Sequence, residues 1–388
     1  MAIEKQGKID AILILNNISD NYVVQTSFIG SNGSPSDANV IYTLQKYQDS
    51  NVIRKGYIDW NGDNITDVKF EDMGIVQLKD KLYGHTQSLY VPDITDNTLI
   101  LGTGPDKKTY GRFDWARDIS IVGTYLDNGY FKYDHNYNDK GNGANGCTII
   151  PSKEEDKPLV HYSNIAKVLG DSNLPRIEFA IDPSDQKFAL VVGFDDKNLY
   201  LNTYHLDNSN VFSNDGFISH LMDNAFEAME LDLNEDTWDD NYKDNPNVFN
   251  LTLPSSGLMY SAKIAIDDLK KIKDQDTFSF QGFTIDQVGN VYISSRFAPG
   301  KKHPEDKNPA LLVKIPNFGK ADPKNWQYVG LKKVTKLKDK SIYSKGCNLE
   351  VEGIQALTEN QIWVTCSYHE KDKNNKPIDK SKVFCVSF

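Results

Sequence analysis

Long apolar runs are missing from this chain. The most apolar stretches, such as Ala11–Leu15 and Phe188–Val192, fall far short of the ~18 consecutive apolar residues of a membrane span, so a soluble chain without a transmembrane segment is expected. A basic surplus is missing too: the formal net charge is -11, which argues against a general nucleic-acid binder, because neutralising phosphates requires a basic surface. The four cysteines, Cys147, Cys347, Cys366 and Cys385, show neither a C-x-x-C pair nor metal-ligand spacing. No proline-rich or Gly/Ser linker divides the 388 residues, so residues 1–388 are expected to form a single domain. The first eight residues lack the apolar core of a signal peptide. Such a chain stays inside the cell, leaves by another route, or has lost a leader. Nucleophile elbows of the G-x-S-x-G type and H-E-x-x-H helices are absent, and His135, His161, His205, His220 and His303 are scattered among loop-like segments. Paired carboxylates that converge only in space stay open, but the order of residues nominates no catalytic residue.

What the sequence does contain is a repeated hairpin. A short alternating strand, a tight polar turn and a second apolar, β-branched strand recur at Ser88–Leu101, Glu178–Val192, Gly282–Ile293 and Gly353–Val364, with a weaker copy at Ala11–Val24. One such unit cannot bury its apolar faces alone. Several must pack on one another, and radial stacking of small antiparallel sheets is the commonest closed solution. The expected fold is therefore all-β: a five-bladed β-propeller with long loop insertions and one or two short helices. The four clear copies start roughly 70 to 105 residues apart, more than the ~40 to 50 residues of familiar propeller repeats, so the blades must carry insertions. The competing architecture is a β-sandwich, which two stacked sheets would reveal. The last residues, Lys382–Phe388, read as a strand that pairs with the first blade and closes the ring. Ser261–Ile272 spaces Ile264, Leu269 and Ile272 for an amphipathic helix, and His220–Leu231 is a second helical candidate. A hairpin joining Ile362–Tyr368 to Lys382–Phe388 about Asn375 would set Cys366 opposite Cys385, as buried thiols or a disulfide, with buried thiols the default.

Two motif matches lose most of their force in context. Asp59, Asn61, Asp63 and Asp67 sit at positions 1, 3, 5 and 9 of a calcium-loop pattern, but Asn64 replaces the turn glycine and Phe70 the closing carboxylate. With Tyr57–Ile58 and Val68–Phe70 as flanking strands, a hairpin loop is expected, and calcium is a weak metal candidate. No other cofactor is expected. Gly141–Gly146 spells G-x-G-x-x-G, yet the polar Tyr133–Lys140 precedes it and Pro151 follows, which suits a flexible loop rather than a nucleotide site.

A subtler pattern lies where each repeat begins. Gln87, Glu178, Gln281 and Glu352 precede or open the first strand of their units, joined by His85 and Arg176. If those strands are innermost, these six polar residues converge on the axis. They could bind a sugar or polyol, with Tyr83, Tyr90 or Trp115 as apolar platforms, or form structural hydrogen bonds at strand ends. Charge is also segregated. Glu227–Asp244 holds eight carboxylates and one lysine, whereas Leu331–Lys345 holds six lysines and one Asp. Both suit solvated loops, and the second also suits contact with an anionic polymer such as a teichoic acid.

Several strings resemble the helveticin J family of large, heat-labile class III bacteriocins of lactobacilli. They are Gly84–Gln87, Gln281–Ser295, Leu312–Pro316, Glu350–Gln355 and Tyr368–Lys376, and the likeness is best in the C-terminal third, patchy from Gly84 to Val192 and poor elsewhere. The resemblance implies an antibacterial protein that acts outside the cell or at its surface, without a removable leader of the usual kind. It transfers no catalytic residue. The leading expectation is thus a bacteriocin that recognises a cell-wall glycan or anionic wall polymer of related Gram-positive bacteria. The alternatives are a wall-polymer hydrolase using convergent carboxylates or His85, and a cell-surface binding scaffold.

Overall fold

A computed structural model describes residues 2–16, 23–31, 33–47, 50–62, 64–71, 76–79, 87–92, 99–103, 118–122, 131–134, 148–151, 160–163, 169, 174–184, 186–206, 248–250, 258–296, 309–316, 322–343, 348–371 and 377–388. They are mostly strands. Five sheets of four or five strands follow one another along the chain, beside a separate hairpin of Phe131–Asp134 and Thr148–Pro151.

The first sheet orders Val23–Gly30, Val40–Tyr47, Ser50–Tyr57 and Lys69–Phe70 from inside outward, with Val76–Lys79 also on its third strand. The second runs Leu89–Tyr90, Leu99–Thr103, Asp118–Val122, Val160–Ser163 and Val248–Asn250. The third runs Arg176–Ile181, Phe188–Phe194, Asn198–His205 and Leu258–Ala265, and the fourth Phe280–Ile285, Val291–Ser295, Leu311–Ile315 and Gln327–Gly330. The fifth runs Asn348–Thr358, Gln361–Lys371 and Pro377–Ser387. Each innermost strand neighbours that of the next sheet, and Asn348–Thr358 returns to Val23–Gly30. The result is a propeller-like ring rather than two stacked layers.

The expected count of five blades is corrected to four, with the second sheet set apart by its innermost strand. The second sheet begins from a strand of only two residues, Leu89–Tyr90, too short to present the row of apolar side chains a blade core needs.

The cores lie between sheets. Leu190, Val192 and Leu201 of the third meet Phe283, Ile293 and Val313 of the fourth; Tyr292, Leu312 and Val329 of the fourth meet Val351, Val364 and Phe384 of the fifth; Leu13, Trp363 and Val383 of the fifth meet Ile29 and Ile41 of the first. Strands buried on both faces in this way read as near-continuous apolar runs such as Phe188–Val192, rather than as clean alternation. Gly282 lets two inner strands approach closely, since a Cβ there would lie 2.9 Å from the Ile354 nitrogen.

The start of the chain closes the ring. Ile3–Glu4 pairs in parallel with Gln327–Gly330 at the outside of the fourth sheet, and Lys8–Leu15 pairs antiparallel with Pro377–Ser387 as a further strand of the fifth. Closure by the last strand is therefore seen, but its partner is the chain's first long strand within one sheet. The weak copy at Ala11–Val24 is not a hairpin: Ala11–Leu15 lies in the fifth sheet and Val23 opens the first. The expected helix over Ser261–Ile272 is also corrected. Leu258–Ala265 continues the third sheet as a strand and the helix spans only Ile266–Lys270, burying Ile266 and Leu269. His220–Leu231 lies outside the described residues.

Candidate functional site

The inner strands of four sheets bring most of the expected polar residues to one end of the axis. Gln87, Arg176, Glu178, Gln281 and Glu352 are each at most 6% exposed. His85 lies outside the described residues. Arg176 organises the cluster: its Nε donates to Glu178 Oε1 at 2.6 Å, Nη1 to the Phe280 carbonyl at 3.1 Å and Nη2 to Gln87 Oε1, with the guanidinium 5.2 Å from the Phe194 ring centre. The Gln87 side-chain amide donates to Gln281 Oε1 at 2.9 Å. Ser88 Oγ donates to Glu178 Oε2 at 2.5 Å and accepts from the Phe179 N–H at 2.8 Å. Burial pulls the Arg176 pKa down, and the carboxylates of Glu178 and Glu352 act against that shift. Such a network spans the second, third and fourth sheets and, fully bonded, fixes their spacing.

Glu352 joins this network to a second group. Its carboxyl accepts a hydrogen bond from Gln87, and burial, then the charge of Glu350, push its pKa well above the ordinary carboxylate value; His369, Gln87 and Arg176 pull the other way. His369 Nε2 lies 3.0 Å from Glu350 Oε2. Ser88, Glu350 and His369 were not nominated from the sequence. A usable signal was present: Glu350 and Glu352 are two apart on one strand, hence on one face, and His369 lies on the strand paired with it.

The axis itself is nearly filled. The space among Ser27, Gln87, Phe179, Thr284 and Gln355 amounts to about 20 Å³, room for about one water. Gln355 helps to close it, donating to the Ile29 carbonyl at 2.8 Å and accepting from its N–H at 2.6 Å. At the far ends of the inner strands a hollow of about 260 Å³ is bordered by Phe28, Asn39, Tyr90, Pro183 and Gln186. Tyr90 packs edge-on against Phe28 at 5.4 Å and is buried, so its ring face is not an open platform. Tyr83 and Trp115 lie outside the described residues.

The lysine-rich segment is anchored in the fold. Leu331, Val334 and Ile342 sink into the core between the fourth and fifth sheets, while Lys332, Lys333, Lys336, Lys338 and Lys340 are exposed. Thr335 donates to the Gly7 carbonyl at 2.9 Å and accepts from Ile9 at 3.0 Å, which sets the exposed Lys5 and Lys8 beside them. Glu4, Asp10 and Asp339 offset part of this charge: Lys333 lies 3.6 Å from Glu4 and Lys8 3.4 Å from Asp10. The acidic stretch Glu227–Asp244 lies outside the described residues.

Other expectations resolve as follows. Cys366 and Cys385 are both free and buried, but they do not face each other: Cys366 pairs with Lys382, and Cys385 with Trp363. That three-residue offset is odd, so the two thiols occupy opposite faces of the sheet. Around the calcium-like string, Gly56–Tyr57 pairs with Lys69–Phe70 as the expected hairpin, Asp59 lies 3.4 Å from Lys69, and Asp67 accepts from Asn16 at 2.5 Å; Asp63 lies outside the described residues. The string is further pulled apart because Ile65–Asp67 pairs in parallel with the Lys8–Leu15 strand of the fifth sheet. Of the scattered histidines, His161 and His205 lie in strands rather than loops, and His135, His220, His303 and the loop Gly141–Gly146 are outside the described residues.

Residues 239–388 match the family described as bacteriocin helveticin-J. Over 364 residues the chain is 24% identical to bacteriocin helveticin-J of Lactobacillus helveticus, covering 90% of this chain and 88% of that one. The chain is similar to helveticin-J. Among solved structures it is similar to an aldose sugar dehydrogenase from Streptomyces coelicolor (10% identity, 92% and 79% of the two chains, TM-score 0.32). A protein of unknown function from Dyadobacter fermentans matches at 6% identity over 99% of each chain, with a TM-score of 0.34. A B. subtilis levansucrase variant matches at 12% identity over 95% and 84%, with a TM-score of 0.33. The helveticin-J match includes Glu350, Glu352, His369 and the lysine-rich segment. No described helix is long and apolar enough to cross a membrane.

Proposed function

We propose that the chain is a bacteriocin-like antibacterial protein that docks on an anionic wall polymer of related Gram-positive bacteria. Its similarity to helveticin-J supports the antibacterial part. The observation that carries the docking part is the surface formed by Lys332, Lys333, Lys336, Lys338, Lys340, Lys5 and Lys8, a basic patch on a chain whose net charge is -11. Such a patch suits a polymer with regularly repeated phosphodiesters, such as teichoic acid. Many weak contacts add up along a polymer, and an anchored backbone avoids the entropic cost of ordering the segment on binding.

The experiment measures binding of purified protein to walls of lactobacilli before and after teichoic acids are extracted, together with growth inhibition. Extraction and the triple change Lys332→Glu, Lys336→Glu and Lys340→Glu should each weaken binding at least tenfold, and added salt should weaken the unaltered protein's binding. Binding unchanged by all three treatments sinks the docking part. Failure of the unaltered protein to inhibit any strain of a broad Gram-positive panel sinks the antibacterial part.

A glycan contact at the axial cluster is the second reading, favoured by the convergence of Gln87, Arg176, Glu178, Gln281 and Glu352 from four sheets. It gives His85 and those five residues direct ligand roles, requires the axis to open beyond its present room for about one water, and predicts that free wall sugars compete with cell binding. Release of soluble sugars from walls, lost in Glu178→Gln or Glu352→Gln with the fold intact, would move the reading to a hydrolase.

A further inference from the structure

We propose that Glu350, Glu352 and His369 form a binding site for a first-row divalent transition-metal cation of the zinc or manganese type. The site is a product of strand pairing. Asn348–Thr358 and Gln361–Lys371 run antiparallel, with Glu350 opposite Ser367 and His369 opposite Asn348, so the carboxylates and the imidazole project from one face. A bulge between Val351 and Ile354 interrupts the register beside Glu352. Bulges of this kind re-aim side chains and are common beside functional sites.

The three side chains already occupy the volume a small cation needs. One ligand atom from each lies within 4.8 Å of the other two. Around a cation with bonds of about 2.1 Å, ligand atoms sit roughly 3 to 3.5 Å apart, so modest side-chain rotations close the site.

Charge points the same way. Glu178 and Glu352 both act on the Arg176 guanidinium, which already forms its ion pair with Glu178 at 2.6 Å, and Glu350 adds a further carboxylate beside Glu352. Glu352 is buried beside Glu350, and two ionised carboxylates within 4.8 Å of one another repel, which leaves an excess of negative charge between them. A dication between Glu350 and Glu352 removes that imbalance. The Glu350 and His369 side chains remain 23% and 29% exposed, which leaves a solvent route for the ion and an open coordination position for water or an external oxygen.

The donor set selects the metal. One imidazole nitrogen with two carboxylates suits zinc, manganese or iron(II), whereas calcium favours six to eight oxygens. This inference does not depend on how the protein meets the cell wall.

The test begins with full-length protein stripped by chelator and titrated with zinc, manganese and calcium chlorides by calorimetry and thermal unfolding. One equivalent of zinc or manganese should bind and raise the melting temperature, while calcium binds at least tenfold more weakly. Glu350→Gln and His369→Gln, both at partly exposed positions, should each reduce zinc affinity at least tenfold. Zinc-soaked crystals of the unaltered protein should give an anomalous peak among the three side chains. Stoichiometric binding that persists in the double variant, equal or tighter calcium binding, or an anomalous map with no peak there overturns the proposal.

Discussion

Gly353 lies so close to Thr26 that a Cβ on the glycine would fall 2.2 Å from the threonine Oγ1 and 2.9 Å from its Cα. The two residues belong to the inner strands of the fifth and first sheets, so this contact is the seam at which the ring meets itself. Gly353→Ala should therefore destabilise the protein by about 1–3 kcal/mol, the range for overpacking a tight core. Gly330→Ala is the control, because the nearest atom to its added methyl is 4.0 Å away. Urea unfolding of both variants checks the contrast, and equal midpoints would refute the seam.

The turn between the two innermost strands of the fourth sheet depends on Asp286. Its carboxylate accepts from the Val288 and Asn290 N–H groups at 3.0 and 2.9 Å, from the Asn290 side chain at 2.7 Å and from the Tyr292 hydroxyl at 2.8 Å. The side chain is fully buried. Asp286→Ala removes the acceptor of the Val288 and Asn290 N–H groups and of the Asn290 side chain, leaves Tyr292 its bond to the Glu359 carbonyl, and should cost about 3 kcal/mol or more. Asp286→Asn, which keeps an acceptor, should lose less by the same unfolding measurement.

Glu4 gives a pH signature. A hydrogen bond from Lys273 holds its carboxylate below the usual value of 4.5, with help from the charges of Lys273 and Lys333 and against partial desolvation. A depressed carboxylate contributes stability above its unfolded pKa and loses it as the pH falls through the folded pKa. Because the group is largely exposed, the contribution stays under about 1 kcal/mol. Glu4→Gln should accordingly be slightly less stable than the unaltered protein at pH 6 and equal to it at pH 3. A gap that widens on acidification contradicts the ion pair.

Burial pushes the thiol pKa values of Cys366 and Cys385 up, so neither forms thiolate near neutrality. Iodoacetamide at pH 8 should leave both unmodified in the native protein and label both once denaturant is added. Peptide mass mapping checks this residue by residue, and a 366–385 crosslinked peptide would contradict the register.

Much of this fold was legible because alternation and turn chemistry are local. The hairpins at Glu178–Val192, Gly282–Ile293 and Gly353–Val364 form between adjacent segments, each closed by a polar turn. What the sequence could not supply was partnership at a distance. Ala11–Leu15 reads as a strand, but nothing local says that its neighbour begins at Pro377. Likewise the run from Leu258 to Ile272 supports both periods, and pairing with Asn198–His205 decides for a strand as far as Ala265. The cysteines were misplaced because their strands pair three residues away from the register, about a turn near Asn375, that would set Cys366 opposite Cys385. At the axis, Gln87, Glu178, Gln281 and Glu352 were found through their shared position in the repeat. Glu350 and His369 escaped because their partnership depends on the register of one pair of strands.

The pairing of Lys8–Leu15 with the Pro377–Ser387 strand joins segments separated by about 370 residues. During synthesis the Lys8–Leu15 strand must therefore wait, with Ile9 and Ile12 uncovered, until residues 377–387 have left the ribosome. Translation that stops before residue 377 would leave that strand as an unguarded edge, and such products should be prone to aggregation or early proteolysis.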